Sequence, residues 1–139
     1  MSLFPKPKRL WTPPNIITNT DTFADVRERA FNDHEYFVRE FFGEHFWGEP
    51  SPMHREIFNL EKNPTRQGVK EMIAAPRGHA KTVFRALFKP VHAILYQYRY
   101  LILIIAWSST EAKDRVESIR DELLYNERII EVYGREIRK

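Results

Sequence analysis

Ala75-Pro76-Arg77-Gly78-His79-Ala80-Lys81-Thr82 lies between a short apolar run at 69–74 and a longer amphipathic run at 83–98. Strand, tight turn, then a helix opening on Lys-Thr is the layout of a phosphate-binding loop. The first N–H groups of a helix have no partner inside it and carry partial positive charge. A turn in this place therefore offers them to an anion. In that geometry the N–H groups of Gly78, His79, Ala80 and Lys81 cradle the phosphates of ATP. Lys81 neutralises the β and γ phosphates, and the Thr82 hydroxyl ligates Mg²⁺. Arg77 is placed to stabilise charge on the γ-phosphate, as an arginine finger supplied in cis, with a surface arginine as the plainer account. The pattern G-x-x-x-x-G-K-[ST] has Gly where this chain has Ala75 and Ala80, so only Gly78 gives free access to positive φ. The candidate nucleotide segment is thus Ala75 through Thr82. Arg77 and Lys81 are its candidate catalytic residues and Thr82 its magnesium ligand, and a purely structural turn is the competing account.

Downstream of the loop, residues 82–98 carry Phe84, Leu87, Phe88, Val91, Ile94, Leu95 and Tyr98 at steps of three and four, which predicts a helix. Pro90 inside it lacks an N–H and crowds the preceding turn, so a kink or break is expected near Lys89. Residues 100–106 are apolar on both faces, which suits a central parallel strand, and 69–75 read as another. Ser108-Ser109-Thr110-Glu111 predicts a capping box for a helix whose inner face is Ala112, Val116, Ile119 and Leu123. A last short helix, 127–133, ends at Gly134. The order β-α-β-α, joined by a right-handed crossover, predicts an α/β fold with a P-loop NTPase-type parallel sheet over 67–139.

Upstream, 1–20 hold four prolines among polar residues and read as an extended lead-in, with Lys6, Lys8 and Arg9 either solvated or touching a nucleic-acid backbone. Residues 21–66 predict short helices. One spans 22–31, capped by Thr20 or Asp21, and a second follows Asn32-Asp33 and stops at Gly43. A third starts at Ser51-Pro52 with Met53, Ile57 and Leu60 inward. The 139 residues suffice for one domain with a core, and 42% hydrophobic with 14% aromatic content excludes a disordered chain. A net charge of +3 permits a nucleic-acid partner without demanding one. The absence of cysteine excludes disulfides and thiolate zinc sites. The longest apolar run is too short to span a bilayer as a helix, so no membrane partner is expected.

Other chemistry is weaker. The five histidines show no i, i+4 zinc spacing. His54 and Gln67 are placed to approach a base or ribose, with a structural histidine and a turn residue as the simpler accounts. Ser108 and Ser109 read as caps rather than nucleophiles. Tyr36, Phe37, Phe41, Phe42, Phe46 and Trp47 read as core rather than a base-stacking platform. Hydrolysis needs a carboxylate at the end of a second strand, and 100–106 run into Trp107-Ser108-Ser109 instead.

These residues resemble the N-terminal ATPase domain of phage terminase large subunits. The likeness covers about 54–134. It rests on Met53-His54-Arg55-Glu56-Ile57, on the loop Ala75 to Thr82 and on Ile104-Ile105-Ala106-Trp107-Ser108-Ser109-Thr110-Glu111-Ala112. Ile119-Arg120-Asp121-Glu122-Leu123 with Tyr133-Gly134 add to it. The resemblance implies an additional-strand P-loop ATPase that couples Mg-ATP hydrolysis to packaging of double-stranded DNA into proheads. It also implies a separate nuclease domain, and a portal protein and small terminase subunit as partners in the host cytoplasm. Lys81, Thr82 and Arg77 match the family's phosphate-loop positions. The acid pair of the second ATPase motif and the nuclease carboxylates have no counterpart here. The chain therefore reads as the first part of a longer protein, not expected to turn over ATP alone. The alternatives are a truncated, non-catalytic P-loop module that binds nucleotide, DNA or a partner subunit, and a helicase-like NTPase with a degenerate loop.

Overall fold

A computed structural model of the chain describes residues 22–43, 45, 48–63, 72–74 and 81–134. Local capping chemistry sets most helix starts. Thr22 caps α1 (Phe23–Asn32) through a reciprocal box with Asp25, one residue beyond the expected caps. Asp33 ends α1 and caps α2 (His34–Phe42) by accepting from the Tyr36 N–H. Ser51 caps α3 (Pro52–Leu60), with Pro52 at the first helical position as its fixed φ favours. From Lys81 the described residues continue as one helix: α4 (Lys81–Val83) passes through a π-helical segment (Phe84–Phe88) into α5 (Lys89–Leu95). Ser108 caps α6 (Ser109–Tyr125), and Asn126 caps α7 (Glu127–Tyr133), which ends at Gly134 with φ 79°.

The π segment is the form taken by the irregularity expected from Pro90. A proline ring would crowd the carbonyl four residues back, and the missing N–H breaks the regular ladder. Widening the helix moves the Lys89 N–H onto the Phe84 carbonyl, five residues back, and keeps the axis continuous.

The α/β parallel sheet is not what the chain forms. Among the described residues there is no strand and no sheet. Residues 101–106 are irregular backbone whose side chains alternate between exposed and half-buried, and 72–74 are likewise not in a strand. The physical reason is that a strand exists only as part of a ladder, because its N–H and C=O groups need a neighbour. A strand buried on both faces also needs helices on both sides. Here the helices pack on one another instead.

Their shared core is aromatic. Phe37 lies 4.7 Å from the His92 ring, edge-on, with Phe41 and Phe42 at 5.2 and 5.7 Å. The ring chain continues from Phe42 to Phe88 (4.7 Å), Phe84 (5.3 Å) and Phe58 (5.1 Å), crossing α2, the π segment and α3. Ile129 and Val132 of α7 close it from one side, beside Val26 and Ala30 of α1. The aromatics Tyr36, Phe37, Phe41 and Phe42 are thus core, as expected, while Phe46 and Trp47 lie outside the described residues. The inner face of α3 differs from expectation. Ile57 is buried and Met53 packs on the core, but Leu60 is half exposed and Phe58 takes the buried place. On α6, Ile119 is buried, whereas Val116 faces out. Polar ties fasten α7 to α2: Asn126 Nδ2 donates to the Phe41 carbonyl at 2.7 Å, and Arg128 pairs with Glu40 at 2.5 Å.

Candidate functional site

The helix that holds Lys81 and Thr82 sets the site. Ala75, Pro76, Arg77, Gly78, His79 and Ala80 lie outside the described residues, as does the side chain of Lys81 and the whole of Gln67. What is described is the receiving end. The backbone of Lys81 is helical, and Thr82, the next residue of that helix, is exposed. Thr82 borders a hollow of about 340 Å³ walled by Arg85 and Arg115 on the polar side and by Ile73, Leu103 and Ile105 on the apolar side. A hydroxyl and two guanidinium groups thus border one open hollow, and guanidinium groups are the side chains best matched to phosphate oxygens. The arginines come from different elements, α6 supplying Arg115 and the π segment Arg85.

Both arginines are held by acids. Arg115 pairs with Glu111 one turn back on α6. Glu111 was expected to complete the Ser108 cap. Its carboxylate turns to Arg115 instead, its Oε2 buried without a hydrogen-bond partner among the described residues, while Ser108 accepts from the Glu111 N–H. Arg85 pairs with Glu61, and Lys89, one turn further along, reaches the same carboxylate at 3.0 Å. Glu61 is 5% exposed, whereas both cations reach solvent. Sequence reading missed this triad, although one signal was present. Arg85 and Lys89 stand at i, i+4, a like-charge spacing that disfavours a helix unless an acid comes from elsewhere. Glu61→Gln is expected to cost about 1–3 kcal/mol, less than the roughly 3–5 kcal/mol of a fully buried pair, because water reaches the cations. Urea unfolding followed by circular dichroism checks it, and an unchanged midpoint would show that the triad contributes nothing.

Behind the triad lie two buried histidines. The His34 and His92 ring centroids are 4.9 Å apart. His92 Nδ1 is 2.9 Å from the Tyr98 hydroxyl and Nε2 is 3.2 Å from the Ala30 carbonyl. His34 Nδ1 has no hydrogen-bond partner among the described residues. Burial, with further contributions from His92, Lys89 and Arg85, pushes His34 down to about 3. Burial likewise pushes His92 down to about 4, against an opposing hydrogen bond to the Ala30 carbonyl. Both are neutral at pH 7. Burial also raises the Tyr98 hydroxyl to about 12.

The remaining sequence candidates fall into local roles. His54 Nδ1 sits 3.2 Å from the Ser51 N–H, which donates to it, and its ring stacks on Phe84 at 5.1 Å. Ser108 is a cap. His45 lies against Glu122 at 3.0 Å. Among the described residues no group of three or more His, Cys, Asp or Glu gathers as a metal site. Such a group differs from the hydroxyl, phosphate oxygens and water that would surround an Mg²⁺ at Thr82. Among the same residues no helix is long and apolar enough to cross a membrane.

No protein-family model, no curated protein and no solved structure matches the chain.

Proposed function

We propose that residues 75–82 bind the phosphates of Mg-ATP, and that the chain is the ATP-binding, N-terminal part of a terminase-like large subunit that packages double-stranded DNA. The observation that carries this reading is the hollow beside the helical Thr82, which Arg85 and Arg115 wall. Phosphate binding of this kind needs a turn delivered to a helix N-terminus and does not itself require a sheet, of which the described residues hold none. In this reading Lys81 neutralises the terminal phosphates, Thr82 ligates Mg²⁺, and Arg77 faces the γ-phosphate. Arg85 and Arg115 add positive charge to the wall of the adjoining hollow. ATP supplies the transferable phosphoryl group. Portal protein, small terminase subunit and DNA are the partners this reading brings with it.

A second reading is favoured by one feature of the sequence. The apolar run 100–106 leads to Trp107-Ser108-Ser109 and not to a carboxylate, and Glu111, the acid nearest in sequence, is taken by Arg115. A module that binds nucleotide without turnover fits that feature.

Titration calorimetry of Mg-ATP into the 139-residue chain, beside Lys81→Ala and after both are shown helical by circular dichroism, tests the site. Binding by the wild type that the variant loses is the expected result. Equal affinity in the two would remove the phosphate-loop assignment. Phosphate release from the same samples would exclude the non-catalytic reading, whereas its absence is expected of either, because the acid pair of the second ATPase motif has no counterpart in this sequence.

A further inference from the structure

Arg85 stands between two hollows. On one side it walls the hollow shared with Thr82 and Arg115, and on the other a hollow of about 220 Å³ bordered by Lys89, Tyr98 and Arg99. Of the two, Lys89 borders only the second. The buried Glu61 holds both cations. Arg85 Nη1 donates to its Oε1, and Lys89 Nζ lies 3.0 Å from each carboxylate oxygen.

The charges of this triad do not balance. Two cations on one carboxylate leave a net charge of +1 beside the Thr82 hollow, whereas Arg115 with Glu111 sums to zero. The two arginines also differ in what they would leave behind. Were Arg115 to turn to a ligand, Glu111 would keep no cation among the described residues, and its Oε2 already lacks a hydrogen-bond partner there. Were Arg85 to turn, Glu61 would keep Lys89 on both oxygens. Stripping a buried carboxylate of every cation is strongly unfavourable, and leaving it one hydrogen-bonded cation is far less so. Arg85 is therefore the cation that a ligand in the hollow takes most readily. Its planar guanidinium matches two phosphate oxygens at once. Thr82 and Arg85, three residues apart on one helix, face the same hollow, so one phosphate is served by both.

We propose that Arg85 is a further phosphate ligand of the nucleotide site and that Lys89 is its positioning residue, which keeps Glu61 neutralised while Arg85 serves the phosphate. The inference rests on the reading of residues 75–82 as a phosphate loop. Lys89 itself touches no phosphate in this arrangement. It acts through the carboxylate it shares with Arg85.

The test is titration calorimetry of Mg-ATP into the full chain and its variants, each first shown helical by circular dichroism. Arg85→Gln is expected to weaken binding about tenfold, the worth of one charge-assisted hydrogen bond. Lys89→Gln should weaken it to a similar extent although Lys89 lies off the hollow, because Arg85 is then the remaining cation of Glu61 and stays with it. Lys89→Arg keeps the charge and should keep the affinity. Glu61→Gln should tighten binding about fivefold, since Arg85 is released, and in that background Lys89→Gln should change little. A triad that merely held the fold together would give the opposite sign for Glu61→Gln. Arg99→Gln removes a charge that rests on Tyr98 and should stay within about twofold. Should Glu61→Gln fail to fold, Lys89→Gln against Lys89→Arg and Arg99→Gln decides alone. Binding that needs Lys81 yet ignores Lys89→Gln would overturn this inference and leave the phosphate loop standing. So would an equal loss for Lys89→Gln in both backgrounds, or a loss as large for Arg99→Gln. No binding by the wild type, or binding indifferent to Lys81→Ala, would overturn both.

Discussion

Phe37→Ala is expected to lower the stability of the chain by about 3–5 kcal/mol, the range seen when a buried phenylalanine is truncated and its site cannot collapse. Phe37 is fully buried, with His34, Phe41, Phe42 and His92 around its ring at 4.7 to 5.7 Å between centroids. Those neighbours are themselves rings anchored on helices, so they relax little into the space left behind. It is also where α2 meets α5, and its loss loosens the join between those two helices. Since domains of this size are stable by only about 5–15 kcal/mol, a measurable unfolded fraction at physiological temperature is the expected phenotype. Urea denaturation by far-UV circular dichroism gives the difference. Phe23→Ala, half exposed on α1, is the control and should stay within about 0.5 kcal/mol. A Phe37→Ala loss no larger than the control's would mean that the aromatic centre is not where stability resides.

Acid is expected to unfold the chain earlier than its carboxylates alone would dictate. His34 and His92 are held neutral in the folded state, at about 3 and about 4, against an ordinary value of 6.5 that both regain on unfolding. Between those values the unfolded chain binds more protons than the folded one, so stability rises with pH. The contribution is complete above about 6.5. It is lost progressively as pH falls from there towards 4 and then 3. Burial is the leading cause for both, and Lys89, close enough to disfavour a second positive charge, adds to it for each. The combined effect is on the order of several kcal/mol. His34→Leu separates this from general acid effects, because His34 Nδ1 has no hydrogen-bond partner to lose among the described residues. The variant should flatten the decline in urea midpoint between pH 7 and pH 4.5. Parallel declines in wild type and variant would exclude His34 as a source.

The sequence by itself determined what depends on residues three or four apart. The caps at Asp33, Ser51 and Ser108, the Pro52 start and the Gly134 stop stand where local chemistry puts them. Pro90 announced a distortion, and the π segment directly before Lys89 is its form. That a helix follows from Thr82 was legible for the same reason, since a helix satisfies its own backbone and needs little from elsewhere. Tertiary structure alone decided the rest. Whether 101–106 form a strand turns on a neighbour at some other point of the chain, and apolar alternation cannot report whether that neighbour exists. The burial of His34 against His92, and of Glu61 beneath Arg85 and Lys89, joins residues 58 and at least 24 positions apart in sequence. Such pairs leave no periodic trace. They form because packing α2 on α3 and α5 removes water from those groups, and each buried polar atom then takes the partners that packing brings within reach.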